Sequence, residues 1–317
     1  MSSLRYAFRT LARTPVVSLV VILSLALGIG ANTAIFSLFR QALLKSLPVQ
    51  APEELALLSA PAQFKGGRSS TNNAGGLDMA FSYPMLRELE KSPSGLMGIA
   101  AYRNFPANLS FEGATRSGEV NAVSGAYFKL LGLRPALGRL LDEADDRGAG
   151  QAAAVLSYGF WRDRLGGRPD VLNKPMRVNA QIFTIVGVAP ARFNGAAFGE
   201  EQDVYVPLAF KPALTPGWDG RDNWSDYYLY CFGRLEPGRT RQQAQDALNG
   251  VYAGLVEKQA ALMANRPKDY LERFRQHRLK LEPGMQGHSS FRAELETPLQ
   301  ILMICTALVL LIAGANA

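Results

Sequence analysis

Two long uncharged apolar runs constrain the fold of this chain more than any other feature. No charged residue lies between Arg13 and Arg40, and residues 14–39 are mostly Val, Leu, Ile, Ala and Phe. Residues 299–317 form a second run without charge. About 20 apolar residues in a helix cross the roughly 30 Å hydrocarbon core of a bilayer. We therefore predict a first transmembrane helix at 14–39 and the start of a second at 299–317.

A cleaved signal peptide is the alternative interpretation of the first run. Such a peptide has a shorter apolar core, followed closely by small residues at the cleavage site. The tetrapeptide Ala31-Asn32-Thr33-Ala34 resembles a cleavage site weakly, but the apolar core before it is too long. The sequence therefore favours a span that stays in the protein.

Arginines predict the orientation of the first span. Arg5, Arg9 and Arg13 precede it, whereas Arg40 and Lys45 follow it. Because positive residues are retained on the cytoplasmic side, the N-terminus is predicted to be cytoplasmic and the next segment extracytoplasmic. The three N-terminal arginines recur every four residues beside apolar positions, which predicts an amphipathic juxtamembrane helix at 1–13. They either anchor the span at the membrane surface or contact a cytoplasmic partner.

Small residues inside the first span indicate a possible packing face. Ser24, Gly28 and Ala31 recur at helical spacing, and residues of this size let another helix approach closely. Asn32 and Thr33 are polar and prefer protein to lipid. Ordinary glycine use in membrane helices is the alternative explanation, so the pattern alone does not establish a helical partner.

The segment between the two runs is predicted to be a water-facing domain of mixed α/β (α+β) type at 47–296. We expect residues 47–112 and 226–296 to form one lobe and residues 113–225 to form an inserted, β-rich lobe. The most strongly patterned elements are a strand at 54–59, a helix at 82–91, a hairpin at 176–178 and 183–188, a helix at 240–264 capped by Thr240, and a strand at 278–282.

Charge does not indicate a nucleic-acid partner. The chain has 34 Lys and Arg against 27 Asp and Glu, a formal net charge of +7. Part of this excess flanks the first span, where anionic lipid headgroups account for it. Basic residues are not interleaved with aromatic residues in a stripe, as single-stranded nucleic-acid binding requires. We therefore expect membrane lipid, and no nucleic acid, as a partner.

The sequence contains no recognisable catalytic motif. GxxxxGK[ST], HExxH and GxSxG are all absent, so we predict no ATPase activity in this chain, no other enzymatic activity and no cofactor. The only histidines, His277 and His288, are predicted to be solvated surface residues rather than metal ligands. The two cysteines, Cys231 in a strand and Cys305 in the second run, lack the spacing of a metal or redox site.

Two further groups of residues are interpreted structurally. Glu143, Asp145 and Asp146 are predicted to form a solvated acidic loop, because a calcium site needs more oxygen ligands at defined spacing. The three tryptophans are predicted to serve core or interface packing rather than a ligand box. They are Trp161, Trp218 and Trp224.

Short motifs along almost the whole chain carry a family resemblance. They are Leu4-Arg5-Tyr6-Ala7-Phe8-Arg9, Leu25-Ala26-Leu27-Gly28-Ile29-Gly30-Ala31-Asn32, Leu47-Pro48-Val49, Val123-Ser124-Gly125-Ala126-Tyr127-Phe128, Leu131-Gly132-Leu133-Arg134-Pro135, Leu137-Gly138-Arg139, Val155-Leu156-Ser157-Tyr158, Phe160-Trp161, Val186-Gly187-Val188-Ala189-Pro190, Gly233-Arg234-Leu235, Pro237-Gly238, Gln243-Ala244 and Leu310-Leu311-Ile312-Ala313-Gly314-Ala315-Asn316. In this order, they resemble the MacB/FtsX-type permeases of ABC transporters with a MacB-like periplasmic core domain. The pattern is most similar to the duplicated, ATPase-less permeases of Acidobacteria.

The resemblance departs from the family in three places. Asn173 stands where a glycine is expected before Lys174-Pro175, so this turn is expected to be altered. The sequence ends where the family has at least two more spans of an FtsX-like permease domain, so we expect a C-terminally truncated chain. The nucleotide-binding domain that some relatives fuse to the permease is also absent.

The resemblance implies a function. It implies a permease subunit of an ABC-type efflux or mechanotransmission system in the bacterial inner membrane, multi-pass at full length, with its central domain outside the cytoplasm. The implied partners are a separate cytoplasmic ABC ATPase and a second permease, in a homodimer or heterodimer. The alternatives are a two-span sensory receptor with an outer ligand-binding domain and a membrane-anchored outer enzyme.

Overall fold

The structure is a computed structural model that describes residues 15–39, 45–61, 69–71, 74–147 and 152–315. The chain divides into two compact units, one of Met1–Lys45 with Phe291–Ala317 and one of Ser46–Ser290. The predicted amphipathic helix at 1–13 lies outside the described residues.

The helices and strands are numbered in chain order. The helices are α1 (Pro15–Phe39), α2 (Tyr83–Glu90), α3 (Tyr127–Leu130), α4 (Lys211–Leu214), α5 (Arg241–Leu262), α6 (Lys268–Arg275) and α7 (Ser290–Ala315). The strands are β1 (Leu55–Ser59), β2 (Ala80–Ser82), β3 (Leu96–Phe111), β4 (Ala114–Val123), β5 (Leu137–Gly138), β6 (Ala153–Leu156), β7 (Pro175–Val178), β8 (Gln181–Val188), β9 (Val204–Pro207), β10 (Tyr227–Leu235) and β11 (Lys280–Pro283).

The first unit contains α1 and α7. The Thr306 hydroxyl on α7 lies 3.2 Å from the Asn32 side-chain oxygen on α1, so two polar side chains meet between these apolar helices. Helix α7 begins before the predicted run at 299–317 and includes Pro298. When only described residues are counted, none of the helices is both long enough and apolar enough to cross a membrane. The two transmembrane spans therefore stay predictions from the sequence.

The second unit is built on one sheet of 11 described strands. Its main path runs β11-β1-β10-β3-β4-β9-β6-β8-β5. Strand β7 pairs with both β8 and β3, so the pairings of β3, β4, β9, β6, β8 and β7 close into a ring of six strands. Closure satisfies the edges of these short strands, which would otherwise expose unpaired backbone groups. Strands of both predicted lobes thus share one sheet, and the division into lobes at 113–225 stays a prediction.

Two apolar clusters cover the opposite faces of the sheet. Successive side chains of a strand point to opposite faces of the sheet. Along β10, Cys231 accordingly belongs to one cluster, whereas Tyr230 and Phe232 belong to the other. The first cluster joins buried residues of all six ring strands to apolar residues of α2, α5 and α6. The second contains α3 and the loop that follows β8.

Local signals predicted several elements well. Helix α5 begins after Thr240, whose hydroxyl accepts from the Gln243 amide while the Gln243 side chain accepts from the Thr240 amide. The predicted hairpin is β7 and β8. Asn173 has φ 63°, a left-handed conformation that asparagine tolerates, and its amide donates to the Ile185 carbonyl at 2.8 Å. Asparagine therefore adopts a conformation that glycine would also favour, so the replacement does not prevent this turn.

Strand β3 was largely missed. It is not among the strongly patterned elements of the sequence, although it runs from Leu96 to Phe111. Arg103, Asn104 and Pro106 break the apolar alternation, and proline removes a backbone donor. Long-range pairing with β10 and β4 stabilises the strand in spite of these local signals.

Candidate functional site

The candidate site is the place where the chain enters and leaves the second unit. The leading segment (residues 46–54) precedes β1, and the returning segment (residues 284–289) follows β11. The Leu47 amide donates to the Met285 carbonyl at 2.9 Å, and the Gly284 amide donates to the Leu55 carbonyl at 2.8 Å. Leu47 and Val49 also pack against the second apolar cluster. The two segments are therefore bonded to each other at the base of β1 and β11.

Arg234 on β10 binds the leading segment to the sheet. Its side chain is 7% exposed. Its guanidinium donates to the carbonyls of Gln50 at 2.6 Å and Ala51 at 3.0 Å, and to the Glu54 carboxylate at 2.7 Å. Its Nε donates to the Leu130 carbonyl on α3 at 2.7 Å. One buried cation therefore joins the leading segment, β10 and α3.

The leading segment is held in a backbone conformation that alanine seldom adopts. Ala51 has φ 39° and ψ 63°, in the left-handed region. For a residue with a Cβ this conformation costs about 1–2 kcal/mol. The bonds from Arg234 to the Gln50 and Ala51 carbonyls offset this cost. The segment's geometry thus depends on Arg234.

The returning segment is fixed by the loop after β8. The His288 amide donates to the Ala196 carbonyl at 3.0 Å, and the Phe198 amide donates to the His288 carbonyl at 2.8 Å. Gly287 has φ 73°, and a side chain there would overlap the Ala196 carbonyl. The position therefore favours glycine for both its conformation and its space.

The histidines correct the sequence prediction, because both are buried. His288 is fully buried, and its ring centroid lies 5.5 Å from those of Tyr102 and Tyr230. His277 is 6% exposed and lies 4.4 Å from the Phe274 ring. The prediction of two solvated surface histidines was wrong because tertiary packing, which the local sequence does not encode, covers both.

Two of the three residues of the predicted acidic loop are also buried, Asp145 and Asp146. Asp145 accepts two bonds from the Arg139 guanidinium, at 2.6 and 2.8 Å. Asp146 accepts from the Ala209 amide at 2.8 Å and the Gly125 amide at 3.3 Å. The two aspartates are 6% and 9% exposed. The prediction of a solvated loop was wrong for Asp145 and Asp146, because both carboxylates accept bonds inside the domain, whereas Glu143 is exposed as predicted.

Asp146 and Glu90 line a cavity of about 380 Å³ that reaches Leu130, the residue bonded by Arg234. Burial raises the pKa of Asp146 to about 6, against the lowering effect of its backbone donors. Burial also raises the pKa of Glu90 to about 7, although Arg87 lies 2.7 Å away. Asp146 and Glu143 add to the shift of Glu90 by repulsion. Glu90 and Asp146 therefore bind protons as the pH falls from neutral toward 6.

The other candidate residues can be placed as follows. Arg5, Arg9 and Arg13 lie outside the described residues. Ser24, Gly28 and Ala31 fall within α1, and the side chains of Ser24 and Ala31 lie outside the described residues. Their packing role stays a prediction. The tryptophans pack partly buried against the first apolar cluster, which confirms that interpretation: Trp161, Trp218 and Trp224.

Arg234 was overlooked as a functional residue. The sequence did carry a signal, since an arginine stands near the end of the apolar strand Tyr227–Leu235. A charged residue in a buried strand requires partners. Within the described ranges, His, Cys, Asp and Glu form no group of three or more that could hold a metal ion.

Comparison with known proteins agrees with this architecture. The sequence model of the MacB-like periplasmic core domain matches residues 18–251. The periplasmic region of MacB from Actinobacillus actinomycetemcomitans is similar in structure, with a TM-score of 0.50 and 13% identity over 73% of this chain and 89% of that chain. At this identity the likeness shows the fold alone. A search of curated proteins finds no match.

Two further solved structures are similar at lower TM-scores. A domain assigned to a permease protein from Porphyromonas gingivalis has a TM-score of 0.49 and 15% identity over 78% of this chain and 98% of that chain. The extracellular domain of the noncanonic ABC-type transporter YknZ from Gram-positive bacteria has a TM-score of 0.43 and 17% identity over 62% of this chain and 94% of that chain. The family match covers most of the sequence and includes nearly all of the sheet, so this chain belongs to the MacB-like periplasmic core domain family.

Proposed function

We propose that this chain is the permease subunit of an ABC-type efflux or mechanotransmission system. In this proposal α1 and α7 belong to the inner-membrane part, the N-terminus is cytoplasmic and the second unit is extracytoplasmic. A separate cytoplasmic ATPase supplies the energy, because this sequence carries no GxxxxGK[ST] motif. The permease works as a homodimer or heterodimer. The family match supports this proposal over the sensory receptor.

One observation carries the mechanical part of the proposal. The leading and returning segments are bonded to each other through Leu47 and Met285, and Arg234 binds the leading segment to β10 and α3. Motion of a flanking helix reaches the sheet only if its connecting segment does not stretch or fray. Buried, charge-assisted hydrogen bonds resist such fraying better than exposed neutral ones do. The junction is therefore suited to transmit displacement without bond chemistry.

Two measurements test the proposal. Protease added to intact spheroplasts should digest the second unit and leave α1 membrane-bound, because the unit is predicted to lie outside. An undigested second unit, or extraction of the protein by alkaline carbonate, would contradict the membrane assignment. Affinity purification of the full chain from membranes should recover an ABC ATPase. Recovery of a kinase or cyclase instead would favour the sensory receptor.

A further inference from the structure

A second cavity, of about 490 Å³, opens beside β3 and β4. Its wall includes Arg103 and Asn104 of β3, Glu119 of β4, and Glu200 and Gln202 of the loop before β9. A volume of this size is within the range that holds small ligands. Among the described residues, its lining includes neither Arg234 nor any residue of the leading or returning segment, and the cavity takes no part in the mechanical proposal.

Two buried amides in the cavity wall lack partners that buried amides normally have. Asn104 is 5% exposed, and neither of its side-chain polar atoms has a hydrogen-bond partner among the described residues. Gln202 is 4% exposed, and its side-chain oxygen likewise has none there. An unsatisfied buried polar group costs about 1–3 kcal/mol. A ligand in the cavity that forms hydrogen bonds with these groups would explain why they lack partners within the protein.

The charged residues of the wall indicate whether that ligand is a cation or an anion. Glu119, Glu200 and Glu201 bring three carboxylates to the cavity, and repulsion by Glu119 adds to the effect of burial on the pKa of Glu200. Arg103 is the cation of the wall, but its guanidinium already donates to the Ser70 carbonyl at 2.9 Å and the Ser70 hydroxyl at 2.6 Å. The wall therefore offers more hydrogen-bond acceptors than its own donors satisfy. A cation with several N–H groups fits such a cavity.

We propose that this cavity binds a primary ammonium group, either of a small amine or of a lysine side chain. The ammonium has three donors and no acceptor. It matches the Glu200 carboxylate, the Gln202 side-chain oxygen and the Asn104 side-chain oxygen, with Glu119 adding long-range attraction. Binding neutralises the repulsion between Glu119 and Glu200 and supplies donors for the side-chain oxygens of both amides, although it gives no acceptor to the Asn104 side-chain nitrogen.

The proposal implies that binding depends on pH. Burial raises the pKa of Glu200 to about 7, with repulsion by Glu119 adding to the shift and Arg103 lowering it. Tyr102 and Tyr127 also lie within electrostatic reach of Glu200, and their own pKa values are raised so far by burial that both hydroxyls stay neutral. Glu200 is therefore charged at pH 8 and mostly neutral at pH 6, so affinity should fall as the pH falls.

Calorimetric titration of the full chain in a mild detergent tests the site. The probes are 1,5-diaminopentane, as a free amine, and Nα-acetyl-lysine methylamide, as a lysine residue. Pentyltrimethylammonium has the same charge as a protonated amine but no N–H donor. At pH 8 we expect saturable binding of at least one primary amine, about tenfold weaker binding at pH 6, and weaker binding of the quaternary analogue. The probe that binds more tightly identifies the source of the ammonium. No saturable binding at pH 8, or equal affinity for the quaternary analogue, would overturn the proposal.

Matched variants separate the site from general charge effects. Glu200→Gln should weaken amine binding tenfold or more, whereas Glu272→Gln, at an exposed position on α6, should leave it unchanged. Asn104→Leu replaces an unpartnered amide by an apolar group of similar size, so it should weaken binding without lowering the melting temperature. Unchanged binding in either cavity variant would remove its residue from the site and contradict the assignment. If Asn104→Leu fails to fold, Glu200→Gln and the pH profile still decide the outcome.

Discussion

Replacing Arg234 by methionine should loosen the junction that joins the leading segment to the sheet. Methionine keeps most of the buried apolar stem and removes every donor of the guanidinium. The Leu130 carbonyl belongs to a residue that is 4% exposed, so losing its Arg234 bond costs about 1–3 kcal/mol. The carbonyls of Gln50 and Ala51 can regain water, and the ion pair with the half-exposed Glu54 adds at most about 1 kcal/mol.

The total expected loss is therefore about 1–4 kcal/mol, which corresponds to a melting temperature lower by about 2–16 °C for a domain of this size. Differential scanning fluorimetry of the full chain in detergent measures this shift. Hydrogen exchange tests where it arises. The Gln50 and Glu54 amides, which donate to Leu131 and Ala51, should exchange about a hundredfold faster in the variant.

Two control variants make the result interpretable. Arg239→Met removes an exposed arginine whose ion pair with Glu236 is long, at 3.8 Å, and should change stability by less than about 0.5 kcal/mol. Arg234→Lys keeps the charge but loses the fork that reaches several acceptors at once, so its stability should be intermediate. A melting temperature for Arg234→Met within 2 °C of wild type, with unchanged exchange at Gln50 and Glu54, would refute the role assigned to Arg234 (about 2–4 °C corresponds to 1 kcal/mol here).

Three other predictions concern sites away from Arg234. Gly125→Ala should destabilise the second unit by about 1–3 kcal/mol, seen as a lower melting temperature, because a Cβ there would overlap the Glu143 backbone. Glu90→Gln should stabilise the unit by about 1–3 kcal/mol at pH 8.5 and by much less at pH 5. Burial raises the pKa of Glu90 to about 7, so the wild-type protein keeps its full stability below the ordinary glutamate pKa. It loses stability as the pH rises through 7, because Glu90 then becomes a buried charge that glutamine does not have. Cysteines replacing Asn32 and Thr306, with Cys305 changed to serine, should cross-link under mild oxidation, because these side chains are in contact.

Each of these predictions has a control and an outcome against it. Gly254→Ala, in an open position on α5, should not destabilise, and a loss as large as that of Gly125→Ala would show that the overlap with Glu143 is not the cause. A stability difference for Glu90→Gln that does not change between pH 5 and pH 8.5 would contradict the raised pKa. Absence of the Asn32–Thr306 cross-link, when reduced cysteines at both positions react with maleimide, would argue against the pairing of α1 and α7.

Much of the local structure of this protein could be predicted because its signals lie within a few residues. Thr240 and Gln243 form a capping box that fixes the start of α5. The uncharged runs limit α1 and α7 to apolar helices, and ordered motifs such as Val123-Ser124-Gly125 and Gly233-Arg234-Leu235 predicted the family that the comparison then showed. The structure also explains one of these motifs. Gly125 has no side chain because the Glu143 backbone occupies that space.

The tertiary structure decided what depends on residues far apart in the chain. The bonds of Arg234 reach residues 50–54 and 130, the ring of six strands closes only when β7 pairs with β3, and the burial of His288 requires the loop at 196–198. Local propensity cannot predict such contacts, because the free energy that stabilises them comes from burial and pairing between residues that lie about seventy or more positions apart. The sequence by itself determined the start of α5, the apolar runs and the family, whereas long-range packing determined which charged and polar side chains became buried and therefore functional candidates.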